Sequence, residues 1–213
     1  AGLSAAVTLH DLGREVVVLE KMPMIGGNTV RAEGGINAAE TPQQKKAGIP
    51  DTIDQFYADT MKGGHNLNDP ALVRTLTTHA KDAVAWLVSL GADLNTVGRA
   101  GGAKYPRAHR PTDGSAIGPE VIRVLWKAAK DRKMDVRTQT RATEIIMKDG
   151  RVAGVKATNK DGKVYTIDAK AVVLATGGFG ANQDMLVKYQ PKLKGYATTN
   201  QPGATGDGII LAE

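Results

Sequence analysis

Apolar residues at Leu3, Ala6, Val7 and Leu9, closed by Gly13, recur at helical spacing and stop where a helix stops. The pattern then becomes an unbroken apolar run over 16–19, ending in Glu20 and Lys21. That predicts a strand buried on both faces of a parallel sheet. Helical spacing returns over 52–61, 70–90 and 118–133, and Asn68-Asp69-Pro70 gives the second of these a capping side chain and a proline at its first position. Trp86, among Ala83, Leu87 and Leu90, reads as core. Past Met134 the period shortens to that of strands, over 136–140, 142–148, 151–158 and 163–167. Asp149-Gly150 and Lys160-Asp161-Gly162 supply turns between the last three. Three antiparallel strands therefore precede Ala171-Val172-Val173-Leu174-Ala175-Thr176-Gly177-Gly178, which predicts another buried strand ending in a turn of small residues.

Composition adds one strong signal, because the 213 residues include 25 glycines where a usual share of roughly 7% gives about fifteen. They gather in short loops. The pairs Gly26-Gly27 and Gly34-Gly35 predict backbone passing close to a flat ligand. Residues 98–114 are glycine-rich and basic and read as an ordered functional loop. Within it His109 could donate a proton or bind a carboxylate, and Arg107 and Arg110 could pair with a dicarboxylate, against the reading that none of them contacts the substrate directly. His65 reads as a surface-loop residue, and His10 and His79 need no special role.

The net charge of +6 is spread along the chain without interleaved aromatic residues. This argues against nucleic acid and suits small anionic ligands. With no cysteine, a disulfide framework, a thiolate metal site and a c-type haem attachment are excluded for this span. No cluster has the ligand spacing of a metal site. No apolar run approaches the ~18 residues of a membrane span.

Ala1-Gly2-Leu3-Ser4-Ala5-Ala6 reads as the end of a glycine-rich turn entering a helix, with Gly2 as its last glycine. Glu20 follows eighteen positions on, close to the ~20 that separate such a turn from the acid that holds the ribose hydroxyls. The chain thus begins inside a βαβ unit, and the first strand is expected to be missing. A simple nicotinamide domain would continue in βα repeats. Here a three-stranded antiparallel insertion precedes Ala175-Thr176-Gly177-Gly178, and this order resembles the FAD domain of the glutathione-reductase-like flavoproteins. The expected fold is α/β, a Rossmann-type FAD-binding domain with residues 1–40 and 135–213 as nucleotide-binding core and 41–134 as a mainly helical insertion.

Five blocks narrow the resemblance: Glu20-Lys21-Met22-Pro23-Met24-Ile25-Gly26-Gly27-Asn28-Thr29, Ala32-Glu33-Gly34-Gly35-Ile36-Asn37-Ala38-Ala39, Asp59-Thr60-Met61-Lys62-Gly63-Gly64, His109-Arg110-Pro111-Thr112 and Asn200-Gln201-Pro202-Gly203-Ala204-Thr205-Gly206-Asp207-Gly208. In order, they resemble the flavoprotein domain of soluble fumarate reductases, the flavocytochrome c group related to succinate dehydrogenase flavoprotein subunits. The resemblance implies FAD held by Gly2, Glu20, Lys21, Met22, Gly27, Asn28, Thr29, Gly34, Gly35, Ala142, Thr176, Gly177 and Asp207. Glu20 would hold the adenosine ribose and Ala142 the adenine through its main chain. The Gly34-Gly35 amides would face the flavin edge near N5, and Asp207 would lie by the ribityl or pyrophosphate region.

It further implies reduction of fumarate to succinate, or of another 2-enoate such as urocanate, with a flavin-dependent 3-ketosteroid dehydrogenase or an inactive fragment as alternatives. The electron donor would be a multihaem cytochrome domain or another redox partner, and the compartment the periplasm, with the cytoplasm possible. No residue of this span is assigned the catalytic proton transfer, which in the resembled family belongs to segments following a block like Gly206-Asp207-Gly208. The isolated chain, lacking its first strand, is expected to bind FAD poorly or to aggregate.

Overall fold

A computed structural model describes residues 1–213. In chain order the elements are α1 (Gly2–Asp11), β1 (Val17–Leu19), a 3-10 turn (Gly27–Arg31), β2 (Ile36–Asn37), α2 (Pro42–Lys46), α3 (Ile53–Gly63) and α4 (Pro70–Ser89). There follow β3 (Thr96–Gly98), β4 (Ala108–Arg110), α5 (Ile117–Asp131), β5 (Asp135–Arg137), β6 (Arg141–Lys148), β7 (Arg151–Thr158) and β8 (Val164–Asp168). Last come α6 (Gln183–Tyr189), a 3-10 turn (Pro191–Leu193) and α7 (Asp207–Ala212). The chain divides into two compact units, Ala1–Asn28 with Leu125–Glu213, and Thr29–Val124.

In the first unit β1 pairs with β5 in a parallel register, Val18 opposite Val136. Helix α1 buries Leu3, Ala6 and Val7, three positions of the apolar spacing read above. Strands β6, β7 and β8 form the expected antiparallel meander, closed by Gly150 at φ +74 and Gly162 at φ +77. Gly154 in β7 is required by crowding, since a Cβ there would lie 2.5 Å from the Ile167 carbonyl oxygen of β8.

Two expectations for this unit are corrected. The run 16–19 is not buried on both faces: β1 is three residues long, has one partner strand, and leaves Val17 38% exposed. The run from Ala171 to Gly178 is outside any helix and joins no sheet, and Val173 and Leu174 are 60% and 43% exposed. The physical reason is shared. A central parallel strand is buried by neighbours on both sides, and these residues have no such flanking pair here.

In the second unit, capping side chains set the helix starts: Thr52 Oγ1 accepts from the Gln55 amide at 3.0 Å, and Asp69 Oδ1 from those of Ala71 and Leu72 at 2.8 and 3.0 Å. Helix α4 buries Val73, Thr77, Ala80, Val84 and Leu87, one stripe at helical spacing. Trp86, expected in the core, is half-buried. The stretch 98–114 is more ordered than a loop, because β4 is the centre of an antiparallel sheet in the order β2-β4-β3. At the start of α5, Gly118 donates to the Ala32 carbonyl at 2.8 Å, and a Cβ there would stand 2.0 Å from the Thr29 oxygen. Only glycine permits that approach.

Candidate functional site

The first unit brings its expected residues to the ends of β1 and α1. Gly2 opens α1, and a Cβ on it would come within 3.3 Å of the Ala175 Cβ. Glu20 leaves β1 with its amide donating to Arg137 at 2.9 Å and its carbonyl accepting from Thr140 at 3.0 Å. Its carboxylate turns forward, and Oε1 accepts the Met22 amide at 2.8 Å. Met22 in turn accepts from Gln139 through its carbonyl, with Gln139 in the left-handed region at φ +50. A carboxylate has about four lone-pair sites, so Glu20 retains acceptor capacity on Oε2.

Lys21 and Asp207 form a second cluster. Lys21 Nζ lies 3.1 Å from Asp207 Oδ2 and donates to Thr205 Oγ1, while Arg141 Nε donates to the same carboxylate oxygen at 3.0 Å. The Thr205 hydroxyl donates to Asp207 Oδ1 at 2.6 Å. Burial pushes the Asp207 pKa up. The Thr205 hydrogen bond and the two cations outweigh it and hold the carboxyl below the ordinary value of 3.8. Asp207 is 9% exposed, so its carboxylate is committed to these partners. Asn28 ties the same C-terminal loop: its Oδ1 accepts from the Gln201 amide at 2.7 Å and its Nδ2 donates to Asn200 Oδ1.

Ala142 sits on β6 opposite Ala157. Thr176 and Gly177 line an open hollow with Leu174, Gly208, Ile209 and Ala212. A Cβ on Gly208 would strike Thr176 Oγ1 at 2.1 Å, so this glycine permits α7 to approach Thr176. At Gly27, Gly177 and Gly178 an added Cβ would meet nothing within 4 Å. Bare backbone therefore faces open space at these turns, the shape in which a dinucleotide can approach the main chain.

In the second unit Thr29 is exposed, and the Gly34-Gly35 pair precedes β2. Gly34 has open space where a Cβ would stand. Gly35, at φ +129, has the His109 oxygen at 2.9 Å. Arg110 on β4 reaches this pair, and its Nη2 donates to the Glu33 carbonyl at 3.2 Å and to the Gly34 carbonyl.

His109 is fully buried, which favours the reading without direct substrate contact and gives the ring a structural place. Its Nδ1 faces the carbonyls of Arg107 at 2.9 Å and Ile36 at 3.2 Å, and its Nε2 lies 2.8 Å from Thr41 Oγ1. Carbonyls demand a donor, so the neutral ring carries its proton on Nδ1 and accepts from the Thr41 hydroxyl at Nε2. Burial lowers its pKa from 6.5 against the two carbonyls that favour the charged form. Arg107 is equally internal. It holds Asp51 with two hydrogen bonds of 2.9 and 2.8 Å, reaches Asp59 at 2.8 Å, and lies over the Phe56 ring.

Arg141 went unmarked in the sequence, and Thr205, Asn200 and Gln201, though part of the fifth block, were given no role there. These act through pairing across 66 to 184 positions, and no local pattern announces such partners. The α2 start did carry a readable signal, Thr41-Pro42-Gln43-Gln44, a capping box present in the structure.

Residues 1–213 match the family described as FAD binding domain. A fumarate reductase (cytochrome) of Shewanella frigidimarina is 49% identical over all of this chain and 38% of its own length. An NADH:fumarate oxidoreductase of Klebsiella pneumoniae (strain 342) is 47% identical over all of this chain and 23% of its own. A solved flavocytochrome c3 fumarate reductase in an open conformation superposes with a TM-score of 0.95 at 41% identity, covering 99% of this chain and 37% of that one. The chain therefore spans well under half the length of these relatives.

Proposed function

Given that the chain belongs to the FAD binding domain family and its cofactor is FAD, we propose that it is the cofactor-holding part of a fumarate reductase. The observation that carries this reading is the similarity to fumarate reductases along every residue of the chain. Glu20 is proposed to hold the ribose hydroxyls through Oε2 while Oε1 keeps the Met22 turn in shape. Gly2, Gly27, Thr176 and Gly177 let the main chain approach the phosphates. Asn28, Thr29 and Met22 flank them, and Ala142 offers its backbone to adenine. Asp207 holds Lys21 in place, leaving the lysine stem to line the site. Gly34 and Gly35 present their amides to the flavin. When bound, the flavin supplies the hydride for the C=C bond of a 2-enoate dicarboxylate. Amide donors near the flavin favour its reduced, more negative form and so raise its potential. No residue of this chain is assigned the catalytic acid.

The proposed substrate is fumarate, and the proposed electron donor is a cytochrome domain or another redox partner. The proposed compartment is the periplasm. No helix is long and apolar enough to cross a membrane. Two measurements test the reading. Gly34→Ala adds a methyl into space the protein does not fill, so the fold is expected to survive while FAD affinity falls roughly tenfold or more. Unchanged affinity refutes the flavin assignment. Within a protein of its relatives' full length, loaded with flavin and supplied with a reduced dye, the chain is expected to support turnover of fumarate in preference to urocanate or a 3-ketosteroid. Preference for either of the others displaces fumarate.

A further inference from the structure

Arg110 donates from one nitrogen, Nη2, to two successive carbonyls, those of Glu33 and Gly34. In a trans peptide the carbonyl and the next amide point in opposite directions, and the chain has no cis peptide. Fixing the Glu33 carbonyl thus fixes the Gly34 N–H, and fixing the Gly34 carbonyl fixes the Gly35 N–H. Both amides are turned away from the guanidinium, and neither donates to the protein's own backbone. Gly35 at φ +129 makes the bend that this requires. The guanidinium position is set by this task, because its Nε is buried without a partner. Strand β4 supplies the rigid base, with Arg110 paired to Thr96 on β3.

We propose that Arg110 is a positioning residue that clamps the Glu33 and Gly34 carbonyls, aiming and polarising the Gly34 and Gly35 amides as a paired donor for an electron-rich edge of the cofactor. This rests on the reading that the glycine pair faces the flavin. A cation on a carbonyl strengthens the donor at the other end of the same peptide unit, so the clamp favours the more negative, reduced form of a ligand over the oxidised one. It also accounts for Arg110 without a substrate carboxylate.

The test is the flavin midpoint potential, measured spectroelectrochemically in the flavin-loaded protein with Arg110→Gln, Arg110→Lys and Gly34→Ala. For Arg110→Gln the preference for reduced over oxidised flavin is expected to fall about tenfold, which for a two-electron couple lowers the potential by about 30 mV. Arg110→Lys, which keeps the charge but reaches one carbonyl less well, is expected to lie between. If Arg110→Gln does not fold, the Lys variant carries the same test with a smaller expected drop. Unchanged potentials in the Arg110 variants, with flavin weakened by Gly34→Ala, overturn the clamp and leave the flavin reading standing. Unchanged flavin affinity and potential in all three overturn both.

Discussion

His109 and Arg107 show how a residue type that suggests chemistry can be consumed by structure. The imidazole bridges the β2–β4 carbonyls to Thr41, and the guanidinium joins Asp51 to Asp59. Arg107 and Asp51 are 2% and 0% exposed at their side chains, so removing one leaves the other charge buried and unpaired. Arg107→Met is expected to cost about 3–5 kcal/mol, read as a lower urea midpoint at unchanged slope. Thr41→Val leaves the His109 acceptor without its donor and is expected to cost about 1–3 kcal/mol in the same measurement. Neither role was legible in sequence, where a histidine between arginines suggests contact with a carboxylate and nothing marks it as internal. Burial decides between them, and burial comes from strand pairing at positions 36–37 and 96–98, too short to show a period.

Among elements, legibility followed length. Helices α3, α4 and α5 and the β6–β7–β8 meander were readable because periodicity repeats within them and capping or turn residues mark their ends. Strands β2, β3 and β4, of two or three residues, were not. The apolar run at 16–19 was read correctly as a strand but not in its burial, and the run at 171–178 joins no sheet, since apolar content reports what a segment suits and not which neighbours cover it. The capping argument gives a test of its own. Asp69 accepts two amides at the start of α4, and Asp69→Ala is expected to destabilise by about 0.5–2 kcal/mol, measured by thermal melt, with Asp69→Asn close to wild type. Of the candidate site, the glycines and Glu20 were readable from spacing and resemblance. Their supports Arg141, Thr205 and Arg110 were not, because they act across the fold.

For the molecule as a whole, the titrating groups point one way in pH. Asp207, Asp59 and Glu40 all have carboxyl pKa values below the ordinary 3.8 and 4.5. At Asp59 burial opposes this, and the Lys104 amide, Gln55 and Arg107 overcome it. At Glu40 the Ile53 amide leads, followed by Lys81. The unfolded chain takes up these protons first, so their stabilisation is present above the ordinary values and is lost as pH falls through the lower folded ones. His109 adds an earlier limb, because its folded pKa lies below 6.5, and the unfolded ring is protonated before the buried one as pH drops past 6.5. Urea midpoints at about pH 7.5, 5.5 and 3 are expected to fall in two stages, the first begun by His109 and the second added by the carboxylates. His109→Gln is expected to flatten the decline that begins at about pH 6.5.

The exposed run through Val173 and Leu174 carries a further consequence at this scale. A protease takes its substrate as an extended strand, and here is a segment that is apolar, exposed and free of helix and sheet, followed by Thr176 and Gly177. Limited digestion is therefore expected to nick this segment before the helices. The rate of that first cut becomes a gauge of its surroundings: whatever comes to pair with the run will slow the blade.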